Sequence, residues 1–289
     1  MKRLMALVIV ALLAVGCSQK EKEGFEQIKM KAEAGDRDAQ NRLGKSYVSG
    51  EGVQKDYTEA AKWFRLAAEQ GYSHSQLNLG ALYEGGYGVA KDQAEAVKWY
   101  RKAAEQGLVK AQVKLGRCYF EGNGVAADHT EGRKWARLAA EQGNAEAQLM
   151  LGWSYADGLP PKSPEAAKWF RLAADQGDPD AQYTLGMMYA YGGGVPRDVT
   201  EAAKLFQLAA VQGSSHAQAS LGLMYASGEG VPKDLVEAHA WLNIARAQGR
   251  LSAMDKFQEV ERSMTPQQIA DATKLARERW DKFGPKTNE

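Results

Sequence analysis

Leu-Gly recurs along this chain at a nearly fixed interval. The glycines are Gly44, Gly80, Gly116, Gly152, Gly186 and Gly222, spaced 36, 36, 36, 34 and 36 residues apart. A second phase, mostly Ala-Ala-x-Gln-Gly, ends at Gly71, Gly107, Gly143, Gly177, Gly213 and Gly249. A third is the segment Gly50-Glu51-Gly52-Val53, with copies beginning at Gly86, Gly122, Gly192 and Gly228. The fourth unit is two residues short and reads Gly158-Leu159-Pro160-Pro161 there. Units this small cannot bury an apolar face alone, so a register kept six times restricts the chain to repeats stacked on their neighbours. Most of the 30 glycines fall on these three phases, which explains a glycine content above the usual ~7%.

Each unit reads as two helices. In the first, a helix A over about Asp38 to Ser49 carries Ala39, Leu43 and Tyr47 on one apolar stripe. The glycine loop turns the chain. Helix B then opens at Asp56-x-x-Glu59, a spacing repeated by Asp92/Glu95, Asp128/Glu131, Asp198/Glu201 and Asp234/Glu237. An N-cap Asp with Glu three residues on predicts satisfied first-turn amides and suits the positive helix end. The fourth unit offers Ser163-Pro164-Glu165 instead, a Ser cap with Pro at the first helical position. Ala60, Trp63, Phe64, Ala67 and Ala68 share one side of helix B; the Trp recurs as Trp99, Trp135, Trp169 and Trp241, with Leu205 in the fifth unit. These are predicted to fill space between neighbours.

The pattern Ala-Gln-x-x-Leu-Gly-x-x-Tyr-x-x-Gly-x-Gly-Val, then Glu-Ala-x-x-Trp-Phe-x-x-Ala-Ala-x-Gln-Gly, resembles Sel1-like repeats, relatives of the tetratricopeptide repeat. The resemblance covers about residues 25–249. It implies an all-α chain, an α-solenoid (superhelix) of six helix-turn-helix repeats with a concave surface. Phe25 to Gly35 resembles helix B of a partial leading unit. Residues 250–289 are expected to cap the other end: Leu251 to Arg262 as one helix, and a second from Thr265-Pro266 to near Trp280. No separate catalytic domain remains.

The first 16 residues read as an address. Met1-Lys2-Arg3 is basic and Leu4 to Ala14 is apolar, too short to span a ~30 Å hydrocarbon core but right for a signal-peptide h-region. It ends in Leu13-Ala14-Val15-Gly16-Cys17, which resembles the bacterial lipobox; an ordinary secretory signal and an uncleaved anchor are the alternatives. The resemblance implies a signal peptide over 1–16, covalent lipid on Cys17, and a short linker over 17–24. Cleavage there takes two of the 37 basic residues, leaving 35 against 36 acidic ones, so the formal charge moves from +1 to −1. Ser18 rather than Asp follows the cysteine, which by the same resemblance favours the outer membrane, facing the periplasm. Membrane attachment is expected through the lipid alone.

Charge so balanced, with no basic cluster, argues against nucleic acid as a partner. His74, His129, His216 and His239 show no metal-ligand spacing. Cys118 sits one position off the helix A stripe, where a buried inert thiol is the default. The Gly-x-Gly loops lack the Lys-Ser/Thr of a phosphate loop. No catalytic residue, metal or cofactor is expected. Some Sel1-like proteins associated with β-lactam hydrolysis carry a cysteine pair in each repeat; none does here.

What varies between units is where information can reside. Opposite Leu43, helix A presents the rows of residues 41, 45 and 48, at about 140–200° round the helix. The first unit has Asn41, Lys45 and Val48 there, and later units have Leu77, Val113, Arg117, Phe120, Leu149, Trp153, Tyr183, Met187 and Leu223. These nine are the predicted partner-binding residues of the concave face, apolar apart from Arg117, which would orient a carboxylate. Two other readings stand beside this: the side chains pack between neighbouring helices, or the C-terminal helices fold back over them. The expected function is a non-enzymatic, membrane-anchored periplasmic scaffold that binds a protein or peptide of the cell envelope. The alternatives are an envelope hydrolase acting on cell-wall or β-lactam substrates, and a secreted or surface binder of host proteins.

Overall fold

The computed structural model describes residues 24–156, 158–250 and 254–283. The N-terminal address, including Cys17, lies outside the described residues. Helix α1 spans residues 24–33. Six A–B pairs follow: α2 (Arg37–Ser49) with α3 (Tyr57–Glu69), α4 (Ser73–Gly85) with α5 (Gln93–Glu105), and α6 (Val109–Glu121) with α7 (His129–Glu141). Then come α8 (Ala145–Ser154) with α9 (Pro164–Asp175), α10 (Pro179–Tyr191) with α11 (Val199–Val211), and α12 (Ser215–Ser227) with α13 (Leu235–Ala247). Helices α14 (Met254–Arg262) and α15 (Pro266–Phe283) complete the described chain. Among the described residues there is no strand, and no helix is long and apolar enough to cross a membrane.

The chain divides into two compact units, one ending at Gln142 and one beginning at Gly143. In the first, each B helix packs on its own A helix and on the next one, from α2 through α7. The second repeats this from α8 through α13, after which α14 and α15 both pack on α13. Each unit is thus an α-solenoid segment.

Local chemistry explains the helix boundaries. Asp56 Oδ1 accepts the N–H groups of Thr58 (2.8 Å) and Glu59 (3.0 Å), and Asp128, Asp198 and Asp234 do the same for their own first turns. The glutamates, however, do not return to the cap. Glu59, Glu95, Glu131, Glu165 and Glu201 each pair with the lysine three residues on, because an extended lysine on the exposed face reaches the carboxylate. The first A helix also starts earlier than its apolar stripe, at Arg37, since Asp36 accepts the N–H of Ala39 (2.8 Å) and acts as its cap.

The Leu-Gly pairs form the floor of the core. All six leucines are at most 1% exposed. In four repeats the glycine beside the leucine gives the B helix a place to lay a ring, and in the sixth a leucine: a Cβ on Gly44 would stand 2.6 Å from Phe64, Gly80, Gly152 and Gly186 face Tyr100, Phe170 and Phe206 in the same way, and Gly222 faces Leu242. The third repeat breaks the pattern with Ala136 in the ring position. The helix spacing does not close up in response. From the ideal Cβ of Gly116 the carbonyl of Gly132 is 3.3 Å away, against 3.2 Å between Gly80 and Ala96. A ring comes from the other helix instead: one turn from Ala136, Phe120 lies against Gly132, its ring 2.9 Å from that glycine's ideal Cβ.

Two further contacts lock one repeat to the next. In the glycine loops the second glycine lies on the first turn of the preceding B helix: Gly124, at φ +73°, leaves no room for a Cβ against the backbone of Gln93 and Ala94. Only glycine meets both demands. The other lock is made by the two glutamines of the motif. Gln112 on α6 is 3% exposed; it donates to the carbonyl of Ala104 on the preceding B helix (3.3 Å) and accepts from Gln142 at the end of its own B helix (2.9 Å). Gln40, Gln76, Gln182 and Gln218 repeat both bonds with their own neighbours. A buried amide is thereby satisfied at both ends.

Candidate binding surface

The A-helix faces of the two units differ in chemistry. In the first unit this face is polar and charged. Asn41 accepts from Ser75 Oγ and Asn78 Nδ2, both at 3.0 Å. Glu84 accepts from Tyr100 Oη (2.7 Å) and Lys114 Nζ (2.8 Å). Burial works against the Glu84 charge, but the bonds from Lys114 and Tyr100 outweigh it and hold the carboxyl below the usual range, with help from the charge of Arg117. Arg117 is half-buried at this cluster. Leu77 is partly buried against the core of α5 and α6. Val113, only 4% exposed, offers no surface of its own. Phe120 is occupied as described above, with His129 edge-on to its ring at 5.7 Å. Of the four predicted residues in this unit, the three apolar ones are engaged mainly in packing.

In the second unit the A helices carry no charged side chain beyond the first-turn Glu146 and Asp180. Here the predicted residues converge. Tyr183 and Met187 from α10 and Leu223 from α12 line a cleft of about 350 Å³, floored by Val199 and Phe206 of α11. The Tyr183 ring tilts against Phe206 (5.7 Å) and His216 (5.3 Å), and burial pushes its phenol pKa up. Leu223 is 41% exposed. On α8, Leu149 packs into the core around Phe170, while Trp153 stands edge-on to that ring at 5.1 Å and remains 42% exposed. Trp153, Met187 and Leu223 occupy one row on the three A helices of this unit.

Sequence reasoning missed the rim of the cleft. Arg197 donates from Nε to the Ala190 carbonyl (2.9 Å) and pairs with Glu229, tying the loops of the fifth and sixth repeats together. Tyr191, 71% exposed, stands beside them. Arg197 and Glu229 follow or sit within glycine loops and read as turns; a signal was the aromatic at Tyr191, at the end of α10, where other units have Ser49, Gly85 and Ser227.

The cysteine and two of the histidines are engaged in packing. Cys118 is buried and its thiol is pushed up to about 11, chiefly by burial. His74 and His216 stack on Tyr72 and Tyr183. Among the described residues, no three His, Cys, Asp or Glu are grouped to hold a metal. The C-terminal helices do not fold back over the cleft, since no residue of α14 or α15 lines it; they pack on α13 instead.

The Sel1 repeat model matches six times, at residues 37–72, 73–108, 109–144, 145–178, 179–214 and 215–249. A Sel1 repeat protein from Oxalobacter formigenes is 33% identical, with a TM-score of 0.71 over 83% of this chain and 99% of that one. The protective antigen c5321 of uropathogenic Escherichia coli, displaying an SLR fold, is 28% identical with a TM-score of 0.43, over 92% of this chain and 73% of its own. Immunity protein Pa5087 from Pseudomonas aeruginosa is 19% identical with a TM-score of 0.41, over 86% and 80%. None of the curated proteins matches. On the six consecutive repeats and the Oxalobacter relative, the chain belongs to the Sel1 repeat family.

Proposed function

We propose that this chain is a scaffold that binds a segment of a protein partner in the cleft between α10 and α12, held at the bacterial outer membrane by lipid on Cys17. Sel1 repeat proteins are generally protein-interaction scaffolds, and the repeats occupy residues 37–249 of the chain. One observation carries the choice of site. Tyr183 and Met187 of one repeat and Leu223 of the next line one cleft, large enough for a bulky side chain, whose Arg197 and Glu229 pair with each other at the rim. Charge plays a small part there, so shape and apolar contact would supply the affinity. The anchoring rests on the sequence alone, on the basic start, the short apolar run and Cys17. A lipid there would hold the folded repeats near the periplasmic face of the membrane.

The test is chemical cross-linking and pull-down from native membranes, comparing the unmodified protein with Met187→Asp/Leu223→Asp. Both side chains lie at the cleft rather than in the Leu-Gly floor, so the fold is expected to survive, as circular dichroism would verify. A partner recovered equally with both proteins would refute the site. Loss of membrane association in Cys17→Ser is the expected result for the anchor, and unchanged fractionation would refute it.

A further inference from the structure

Positive charge in the first compact unit is gathered on its A helices. Helices α2, α4 and α6 carry six Arg or Lys against three Asp or Glu, whereas the rest of residues 24–142 carries twelve against thirteen. The A helices of the second unit carry no Arg or Lys at all. The Leu-Gly floor is common to both units, so packing does not demand this difference.

The A and B helices also differ in how their charges are matched. On the B helices Lys62, Lys98 and Lys134 each pair with the glutamate three residues before. On the A helices the matching fails. Arg42 and Lys45 of α2 are exposed and have no carboxylate partner among the described residues. Asp38, one turn before Arg42, accepts instead from Tyr72 Oη at 2.8 Å. Two repeats on, the same two positions of α6 hold Lys114 and Arg117. Glu84 of α4 takes a bond from Lys114 at 2.8 Å and feels the charge of Arg117. One carboxylate between two cations leaves a positive charge over.

The middle helix shapes the space between these cations. At the corresponding positions α4 has Asn78 and Ala81. Asn78 is tied to α2 by its 3.0 Å bond to Asn41. Ala81 is exposed, and its methyl group leaves a low strip between Lys45 and Arg117. Neighbouring helix axes stand about 8–10 Å apart, which puts α2 and α6 ~18 Å from each other. An extended segment of about five or six residues covers that span.

We propose that the exposed face of α2, α4 and α6 binds an acidic, extended segment of a protein partner, with carboxylates against Arg42 and Lys45 at one end and against Lys114 and Arg117 at the other. Opposite charge selects the segment, and the low strip at Ala81 admits its backbone. The centre of the strip offers the amide of Asn78 and no Arg or Lys, which suits a peptide backbone better than an evenly charged phosphate chain. All these residues belong to the first unit, so the inference does not rest on the α10–α12 cleft.

The test uses the full chain and a fluorescein-labelled peptide of four Glu-Ser repeats, followed by anisotropy. The probe should bind, and raising the salt from ~50 to ~300 mM should weaken binding several-fold. Arg42→Glu/Lys45→Glu is expected to bind about tenfold more weakly. Lys98→Glu/Lys134→Glu makes the same change of total charge on the outer face and should shift the affinity less than about twofold. Glu84→Gln keeps an acceptor for Tyr100 but removes the competing charge, so affinity should rise about threefold. A gain cannot come from unfolding, so this variant keeps the test decisive even where charge reversal disturbs α2. The proposal is overturned if the probe fails to bind, if the two double variants weaken binding equally, or if Glu84→Gln gains nothing. It is equally overturned if single-stranded oligothymidylate displaces the probe, because the face would then serve a nucleic acid.

Discussion

The exchange of rings in the third repeat can be tested by reversing it. Phe120→Ala removes the ring over Gly132 and leaves a space that the helix pair does not close, since its spacing matches that of the second repeat to 0.1 Å. Truncating a fully buried phenylalanine costs about 3–5 kcal/mol. Phe120 is half-buried, so roughly half that, ~2 kcal/mol, is expected. Ala136→Phe alone crowds in a second ring one turn along the helix from the one over Gly132 and should cost about 1–3 kcal/mol by overpacking. The double variant places one ring against Gly116, as Phe64 lies against Gly44, and should recover to within about 1 kcal/mol of the unmodified chain. The coupling free energy would then be about 2–3 kcal/mol in favour of the pair. Urea unfolding of all four proteins, followed by circular dichroism and fitted with a nearest-neighbour repeat treatment, measures it. A double variant no more stable than the sum of its parts would refute the account. So would a Phe120→Ala protein of undiminished stability, which would return Phe120 to the surface as a contact residue.

Three other outcomes are expected. Gln112→Leu keeps the volume but loses the bonds to Ala104 and Gln142; unfolding should show a loss of about 1–2 kcal/mol, mostly erased as a difference when Gln142 is already Leu. Gly124→Ala forces a side chain onto the Gln93 backbone at positive φ, and a cost of about 2 kcal/mol or more in the same assay is expected. His239, 1% exposed and stacked on Phe257 at 4.4 Å, has its pKa lowered from 6.5 by burial, with Glu261 opposing and Arg246 assisting. The unfolded chain therefore takes up the proton first, and stability present above pH 6.5 is lost as the pH falls through the folded-state value. Urea midpoints between pH 7.5 and 5, compared with His239→Leu, should show a drop that the variant lacks in part.

Much of the fold was legible because the repeat writes its own punctuation. Asp56 and its copies mark helix starts, glycines mark the turns, and each leucine before a glycine is buried. The caps are a local matter within a few residues, so spacing alone reveals them. The glutamine pairs were in plain view but unread, because Gln112 and Gln142 are 30 residues apart and meet only when helix B folds back on helix A. Phe120 was read as surface for a related reason. Its helical direction points away from Leu115, and Gly132 on the partner helix, where the other repeats have alanine, makes room for it. Val113, in the row of Asn41, is buried as Asn41 is.

The candidate site divides along the same line. The residue rows singled out Tyr183, Met187 and Leu223, whose apolar character on the far side of an A helix is visible in the sequence. That they share a cleft, while Leu77 and Leu149 pack into cores, depends on where neighbouring side chains end. The place of α15 on α13 lay between the two cases: Ala240 breaks a row of five lysines, a signal present in the sequence but without meaning until α15 was placed. Sequence by itself determined the helix pairs, their register and the stacking, since these follow from periodicity and from capping within a turn. Only the tertiary structure decided which apolar residues face solvent, which ring fills which gap, and where α15 lies. Those outcomes depend on volumes and distances between helices, which no single position in the chain encodes.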